Sequence, residues 1–223
     1  MPLDPTHFPV MCITQDGLSL THAAQAARLC AAGARWIQLR IKNAGPDDWL
    51  ATAREVVAIC HAHDALCIIN DSVDIALAAG ADGVHLGKLD PDWREARGRL
   101  GSLRIVGGTV NNLEEADQAH AAGCLDYVGV GPLRFTTTKQ GLAPVLGLDG
   151  VIACVVRLDS LPAWVIGGVE AADLPTLRAI GAAGAAVSGA LFRQNRIEEN
   201  YRAFATAWNV KPSSTPQSSA SLN

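Results

Sequence analysis

The tetrapeptide A-A-G-A or A-A-G-C recurs at 31–34, 78–81, 121–124 and 182–185, and each copy runs into a short apolar stretch: ARWIQLR, ADGVHLG, CLDYVGVG and AAVSGA. Each copy reads as a helix ending in small residues, a glycine just past the helix where φ is positive, and entry into a buried strand. The copies lie about two strand–helix units apart, the last interval being stretched. Further apolar runs fall between the marked strands at FPVMCIT, ALCIIN, LRIVGGTV and AWVIGG. The pattern therefore predicts eight short strands alternating with helices.

The intervening segments carry the helical period. Trp49, Leu50, Ala53, Val56, Val57 and Cys60 share one face, behind a start formed by Pro46, Asp47 and Asp48. Asn112 to Glu115 resembles a capping box. Ile197, Tyr201, Phe204 and Trp208 make a closing amphipathic helix. Eight such units in roughly 205 residues fit a compact (β/α)8 TIM barrel of α/β class. An open doubly wound sheet is the competitor, but no G-x-G-x-x-G opens the first helix. The expected organisation is one barrel domain over 1–208 and a polar, Ser/Pro-rich, disordered tail over 209–223.

Composition narrows the function classes. Of 223 residues 49% are hydrophobic, and 18 Lys+Arg against 22 Asp+Glu leave a net charge of −4. That balance argues against nucleic acid or a membrane surface as partner, and no apolar run reaches the ~18 residues of a membrane span. The six cysteines form no C-x-x-C pair and no group with histidine, so they read as small buried residues in a reducing cytoplasm. MPLDPTHFP lacks the basic and apolar regions of a signal peptide. Small-molecule ligands are the expected partners, and the sequence leaves a homo-oligomer open.

In a parallel barrel the chemistry gathers at the C-terminal ends of the strands. The second strand ends in Gln38, Arg40 and Lys42, which alternation places on one face, either as ligand-binding groups or as a solvated rim. The third ends in Asn70-Asp71, an N-cap or half of a metal site. The fourth supplies His85, Lys88 and Asp90. Asp71 and Asp90 could share one Mg²⁺, whose preference for hard oxygen ligands suits carboxylates plus diphosphate. His85 reads as a hydrogen-bonded interior residue or as a base. The fifth ends in Gly107-Gly108-Thr109, with a hydroxyl able to donate to phosphate.

The stretch GVGPLRFTTTK follows the sixth strand. Thr136, Thr137, Thr138 and Lys139 suit an anion with several oxygens, or make a solvated loop. Gly167-Gly168 and Ser188-Gly189-Ala190 end the last two strands, where backbone N–H groups form the phosphate cup common to many barrels. His61 and His63 have no third ligand and read as surface residues. The mouth thus offers two anion sites and a carboxylate pair, with no nucleophile–base triad and no zinc motif.

In order, QLRIK (38–42), IINDSVDIALAAGADGVHLGK (68–88), DYVGVGP (126–132), FTTTK (135–139), VIGGV (165–169) and VSGAL (187–191) resemble the thiamine phosphate synthase family, also called thiamine-phosphate pyrophosphorylase, over about residues 9–208. The resemblance implies a (β/α)8 barrel. It implies condensation of 4-amino-2-methyl-5-hydroxymethylpyrimidine diphosphate with 4-methyl-5-(2-phosphooxyethyl)thiazole, or its carboxylated form, to thiamine phosphate and diphosphate. By position, Gln38, Arg40, Lys42 and Asn70 would hold the pyrimidine substrate, chiefly its diphosphate, and Asp71 and Asp90 would bind Mg²⁺. Thr109 stands where many members have Ser. Thr136 and Thr138 would face the thiazole phosphate and Lys139 the diphosphate, while Gly168 and the Ser188-Gly189 backbone would cup the thiazole phosphate. Arg40, Lys42, Thr109 and Lys139 carry the catalytic expectation, as an electrostatic cradle for a departing diphosphate.

The sequence departs from the family pattern in places. The commoner G-Q-x-D is GKLD here, Phe135 replaces a Pro, Gly189 holds the usual Ser position with Ser188 one place earlier, and QGLAPVLGLDG differs after the Thr loop. Three rival readings are a thiazole tautomerase of the same barrel family, a Schiff-base aldolase using Lys42, Lys88 or Lys139, and a non-catalytic phosphate-binding barrel. The tautomerase needs no diphosphate site, and the lysines lack an evidently apolar pocket. A regulator would leave the cradle surplus.

Overall fold

The computed structural model describes residues 5–135 and 143–210. Eight parallel strands close in chain order: β1 (Val10–Ile13), β2 (Trp36–Leu39), β3 (Leu66–Asn70), β4 (Gly83–Leu86), β5 (Ile105–Val110), β6 (Tyr127–Val130), β7 (Ala163–Ile166) and β8 (Gly184–Val187), the last pairing with β1. Outside them lie α1 (His22–Ala31), α2 (Pro46–Ala62), α3 (Val73–Ala79), α4 (Trp93–Leu100), α5 (Leu113–Ala122), α6 (Gly147–Leu158), α7 (Leu174–Ala179) and α8 (Ile197–Asn209). This is the (β/α)8 barrel that the repeat predicts. Helix α8 runs one residue past the expected boundary at 208. The expected disordered tail falls on residues of which 211–223 lie outside the described ones.

Strand alternation divides the side chains into two cores. Cys12, Ile37, Leu39, Cys67, Ile69, Val84 and Val128 point outward and pack under the helices. Met11, Trp36, Leu66, Ile68, Tyr127 and Trp164 point inward and fill the lower barrel. Trp36, Tyr127 and Trp164 meet edge to face with centroids 4.6 to 5.7 Å apart, and the Trp164 indole N–H donates to the Phe8 carbonyl at 3.3 Å. Three large rings fit because glycines stand opposite them. A Cβ on Gly107 would come within 2.6 Å of the Tyr127 hydroxyl oxygen and closer to its ring carbons.

The helix signals act as expected, with one correction. Pro46 opens α2, and Asn112 caps α5 by accepting from Glu115 N–H at 2.9 Å. Gly33, Gly80 and Gly123 of the first three repeats have positive φ at helix exits. The fourth glycine, Gly184, does not, because it lies inside β8, where a Cβ would come within 2.6 Å of the Trp164 ring. Gly181 takes the turn instead, at φ +89°. The last repeat is thus a coincidence of composition between a helix exit and an interior packing glycine.

All the described cysteines are free, and only Cys124 is not buried. Among the described residues, no helix is long and apolar enough to cross a membrane.

Candidate active site

A cavity of about 1420 Å³ opens at the C-terminal ends of the strands. It is lined by Gln38, Arg40, Lys42, Asn70, Asp71, Asp90 and Thr109 on one side and by Gly168, Ser188 and Gly189 on the other. Every expected site residue among the described ones therefore reaches the same space. Thr136, Thr138 and Lys139, with Thr137, lie outside the described residues.

Only Gln38 of its trio belongs to β2, which ends at Leu39, so strict alternation does not extend to Arg40 and Lys42. The following backbone is held instead by the loop after β1. The fully buried Thr14 hydroxyl accepts from Arg40 N–H at 3.1 Å, and Asp16 accepts from Lys42 N–H at 2.8 Å. His22 ties these two together, with Nε2 donating to Asp16 at 2.9 Å and Nδ1 bonded to Thr14 at 2.8 Å. Buried Gln25 fastens the same loop by donating to the carbonyls of Gln15 and Leu20 and accepting from Gln15 N–H. A buried amide on a helix face must find such partners. Arg40 is half-buried. Burial lowers its pKa, while the nearby Asp16 and Asp71 charges work the other way.

Asn70-Asp71 is not the N-cap of α3. Ser72 is, its hydroxyl accepting from Ile75 N–H at 3.2 Å. Asp71 is freed by a left-handed backbone, φ +78°, with its N–H donating to the His85 carbonyl at 3.2 Å. Aspartate tolerates that region, and backbone strain of this kind gathers at functional sites. Its carboxylate pairs with Lys42 Nζ. Asp90 closes a tight turn, accepting from Gly87 N–H at 2.6 Å. Lys88 pairs with Glu115 at 3.4 Å, both residues also lining the cavity.

Among the described residues no group of three or more His, Cys, Asp or Glu could hold a metal ion. Two carboxylates facing one cavity are nevertheless the usual protein share of a Mg²⁺ site completed by water and phosphate oxygens. His61 bonds Asp82 and His63 bonds the Ile59 carbonyl, as their surface reading expects.

The interior reading of His85 holds. It is 8% exposed, with Nδ1 3.0 Å from the Tyr127 hydroxyl and Nε2 3.0 Å from Thr109 Oγ1. Beside it, Asn70 Nδ2 donates to Gln38 Oε1 at 3.2 Å.

On the far side, Gly167 and Gly168 have φ +89° and +66°. The segment after β6 crosses directly over them. Arg134 N–H donates to the Gly167 carbonyl at 2.9 Å, and the Arg134 guanidinium donates to the Gly168 carbonyl at 3.1 Å. A Cβ on Gly167 would sit 2.5 Å from Pro132 Cβ. Ser188 precedes a 3-10 turn over Gly189–Asn195, whose first N–H groups have no partner within the turn. The buried Ser188 hydroxyl oxygen has no hydrogen-bond partner among the described residues. Arg134 forks onto Asp173 at 2.6 and 2.7 Å, and Arg193 onto Glu170 at 2.8 and 2.6 Å. These rim pairs, and the Thr14–Asp16–His22 clasp, carry no local motif. Their only trace in sequence is the placing of polar residues just after strand runs.

The family model described as Thiamine monophosphate synthase matches residues 10–191. A thiamine-phosphate synthase of Bacteroides fragilis is 40% identical over 195 residues, 85% of this chain and 95% of its own length. One from Myxococcus xanthus is 47% identical over 184 residues, 82% and 84% of the two chains. A solved structure of thiamine phosphate pyrophosphorylase from Pyrococcus furiosus superposes with a TM-score of 0.81 at 28% identity, covering 91% of this chain and 96% of that one.

Proposed function

The chain belongs to the thiamine monophosphate synthase family, and from that premise we propose how its barrel mouth performs the reaction. The activity is that of a thiamine-phosphate synthase, a transferase. The substrates of our reading are the hydroxymethylpyrimidine diphosphate and the thiazole phosphate, in its plain or carboxylated form. The observation that carries it is the meeting of two unlike sets of polar groups around one cavity, each suited to an anion. Cations and carboxylates stand at the ends of β2 to β4, and a glycine-rich backbone cup stands opposite at β7 and β8.

Gln38 and Asn70 would hold the pyrimidine, with Arg40, Lys42 and Lys139 on its diphosphate and Thr109 donating a hydrogen bond to it. Asp71 and Asp90 would hold Mg²⁺, which when bound neutralises charge on the departing diphosphate. The bond from the pyrimidine methylene to the diphosphate oxygen breaks, and its electron pair leaves with the diphosphate. Arg40, Lys42 and Lys139 stabilise that charge where it develops. The thiazole nitrogen then forms the new bond to the methylene carbon. Gly168 and the Ser188-Gly189 backbone, with Thr136 and Thr138, would fix the thiazole phosphate for this attack. No strong base is required, in keeping with His85 lying buried among hydrogen-bond partners. The free buried thiols support a reducing, cytoplasmic setting.

The test is direct. Protein mixed with both substrates and Mg²⁺ is expected to release diphosphate and accumulate thiamine phosphate, and EDTA is expected to stop both. Folded protein that makes no thiamine phosphate overturns the reading. Isomerisation of the thiazole alone would identify a tautomerase, and binding without turnover a phosphate-binding barrel.

A further inference from the structure

We propose that Tyr127, His85 and Thr109 form a one-way hydrogen-bond relay in which His85 is a positioning residue that aims the Thr109 hydroxyl hydrogen into the cavity. The direction follows from the bottom of the chain upward. Tyr127 is fully buried among the rings of the barrel floor. Burial pushes its ionisation far up, only partly opposed by a hydrogen bond with Gln38, so the phenol keeps its proton. A buried hydroxyl hydrogen needs an acceptor.

Both ends of the Gln38 amide have other partners. Its Oε1 already accepts from Asn70 Nδ2, and its Nε2 also faces Met11 Sδ at 3.2 Å. The tyrosine proton therefore goes to His85 Nδ1, 3.0 Å away. A neutral imidazole accepting at Nδ1 carries its hydrogen on Nε2. That nitrogen stands 3.0 Å from Thr109 Oγ1 and donates to it. The threonine oxygen is thus an acceptor on its inner side, and its own hydrogen turns outward. Thr109 lines the cavity, and its register partner on β6 is Gly129, which puts no side chain in the way.

A fixed donor aimed at an anion needs no reorientation during reaction, which is where preorganised dipoles act most strongly. Naming that anion as diphosphate rests on the function proposed above, whereas the relay itself does not. Three residues from three strands, Tyr127, His85 and Thr109, then point their hydrogens in a single sense.

The experiment is ¹⁵N NMR of the full chain labelled at histidine, with the His85 signals identified by their loss in His85→Asn or, if that variant does not fold, in His85→Gln. The expected state without substrate is the neutral Nε2–H tautomer, and Tyr127→Phe is expected to populate the other tautomer. An Nδ1–H tautomer in the native protein, or no response to Tyr127→Phe, overturns the relay. Kinetics supply the second arm. Thr109→Val is expected to lower kcat by about 100-fold with little change in KM, the order found for one lost donor. Adding Tyr127→Phe to it is expected to change kcat by less than about twofold, because both act through one hydroxyl. Losses that multiply overturn the proposal. An Nε2–H tautomer in a protein that releases no diphosphate would reject the proposed reaction and leave the relay standing.

Discussion

Lys42 Nζ rests on the Asp71 carboxylate, joining the end of β2 to the end of β3 across the barrel mouth. A group assigned to diphosphate and a group assigned to Mg²⁺ thus hold one another before either ligand arrives. On the proposed reading, each keeps the other's charge in check until a polyanion competes for the ammonium.

That pairing separates activity from stability. Asp71→Asn is expected to lower diphosphate release at least 100-fold. A partly exposed ion pair contributes about 0–1 kcal/mol, so the melting temperature should fall by no more than about 4 °C. Thermal unfolding beside the kinetic assay checks this. Equal losses in both would return Asp71 to a structural role.

Gly168→Ala tests the opposite wall. At φ +66° any side chain is strained, and the new Cβ would come 2.8 Å from Arg134 Cβ. Urea unfolding is expected to show a loss of about 1–3 kcal/mol. Displacement of the cup should also raise KM for the thiazole phosphate more than for the pyrimidine substrate.

Two glycines should respond in opposite directions to the same change. Gly107→Ala drives a methyl into the Tyr127 ring, which the packed floor cannot yield, and should cost about 3 kcal/mol or prevent soluble expression. Gly98→Ala, in the middle of α4 with nothing near the added methyl, should stabilise by about 0.5–1 kcal/mol. Chemical denaturation of both variants settles the comparison.

The clasp between α1 and α8 should weaken in acid. Arg28 forks onto Glu198 with both bonds at 2.6 Å, and that hydrogen bonding, with the positive charge behind it, pulls the Glu198 pKa down to about 2. A depressed carboxylate stabilises the fold above its unfolded pKa of about 4.3 and loses that contribution as pH falls toward 2. A double-mutant cycle of Arg28→Met and Glu198→Gln is therefore expected to give a coupling of about 0.2–1 kcal/mol at pH 7 that shrinks steadily below pH 4.5. A coupling that grows in acid would contradict the assignment.

The barrel was legible because its periodicities are local: strand runs, helix faces and exit glycines each declare themselves within a few residues. Gln38, Arg40, Lys42, Asp71 and Asp90 were legible as polar residues ending buried runs. What holds them was not. Thr14, Asp16 and His22 lie far from Arg40 and Lys42 in sequence and meet them only because β1 and β2 pair. Gly184 misled for the same reason, since its spacing copies a helix exit while its neighbour across the sheet, Trp164, gives it another task. Asp71 is separated from an N-cap by its left-handed backbone angle and by Ser72 taking the capping bond, a choice between neighbours that residue type alone does not make.

The ring-and-glycine floor has a consequence for traffic. With Trp36, Tyr127 and Trp164 packed across the lower barrel, the chamber is closed at its floor, and the strand ends form its threshold among the described residues. In the proposed reaction two molecules come in and two go out by that threshold. The reactant lodged deeper is therefore shut in by the later arrival, and the order of departure becomes a matter of queueing as much as of affinity.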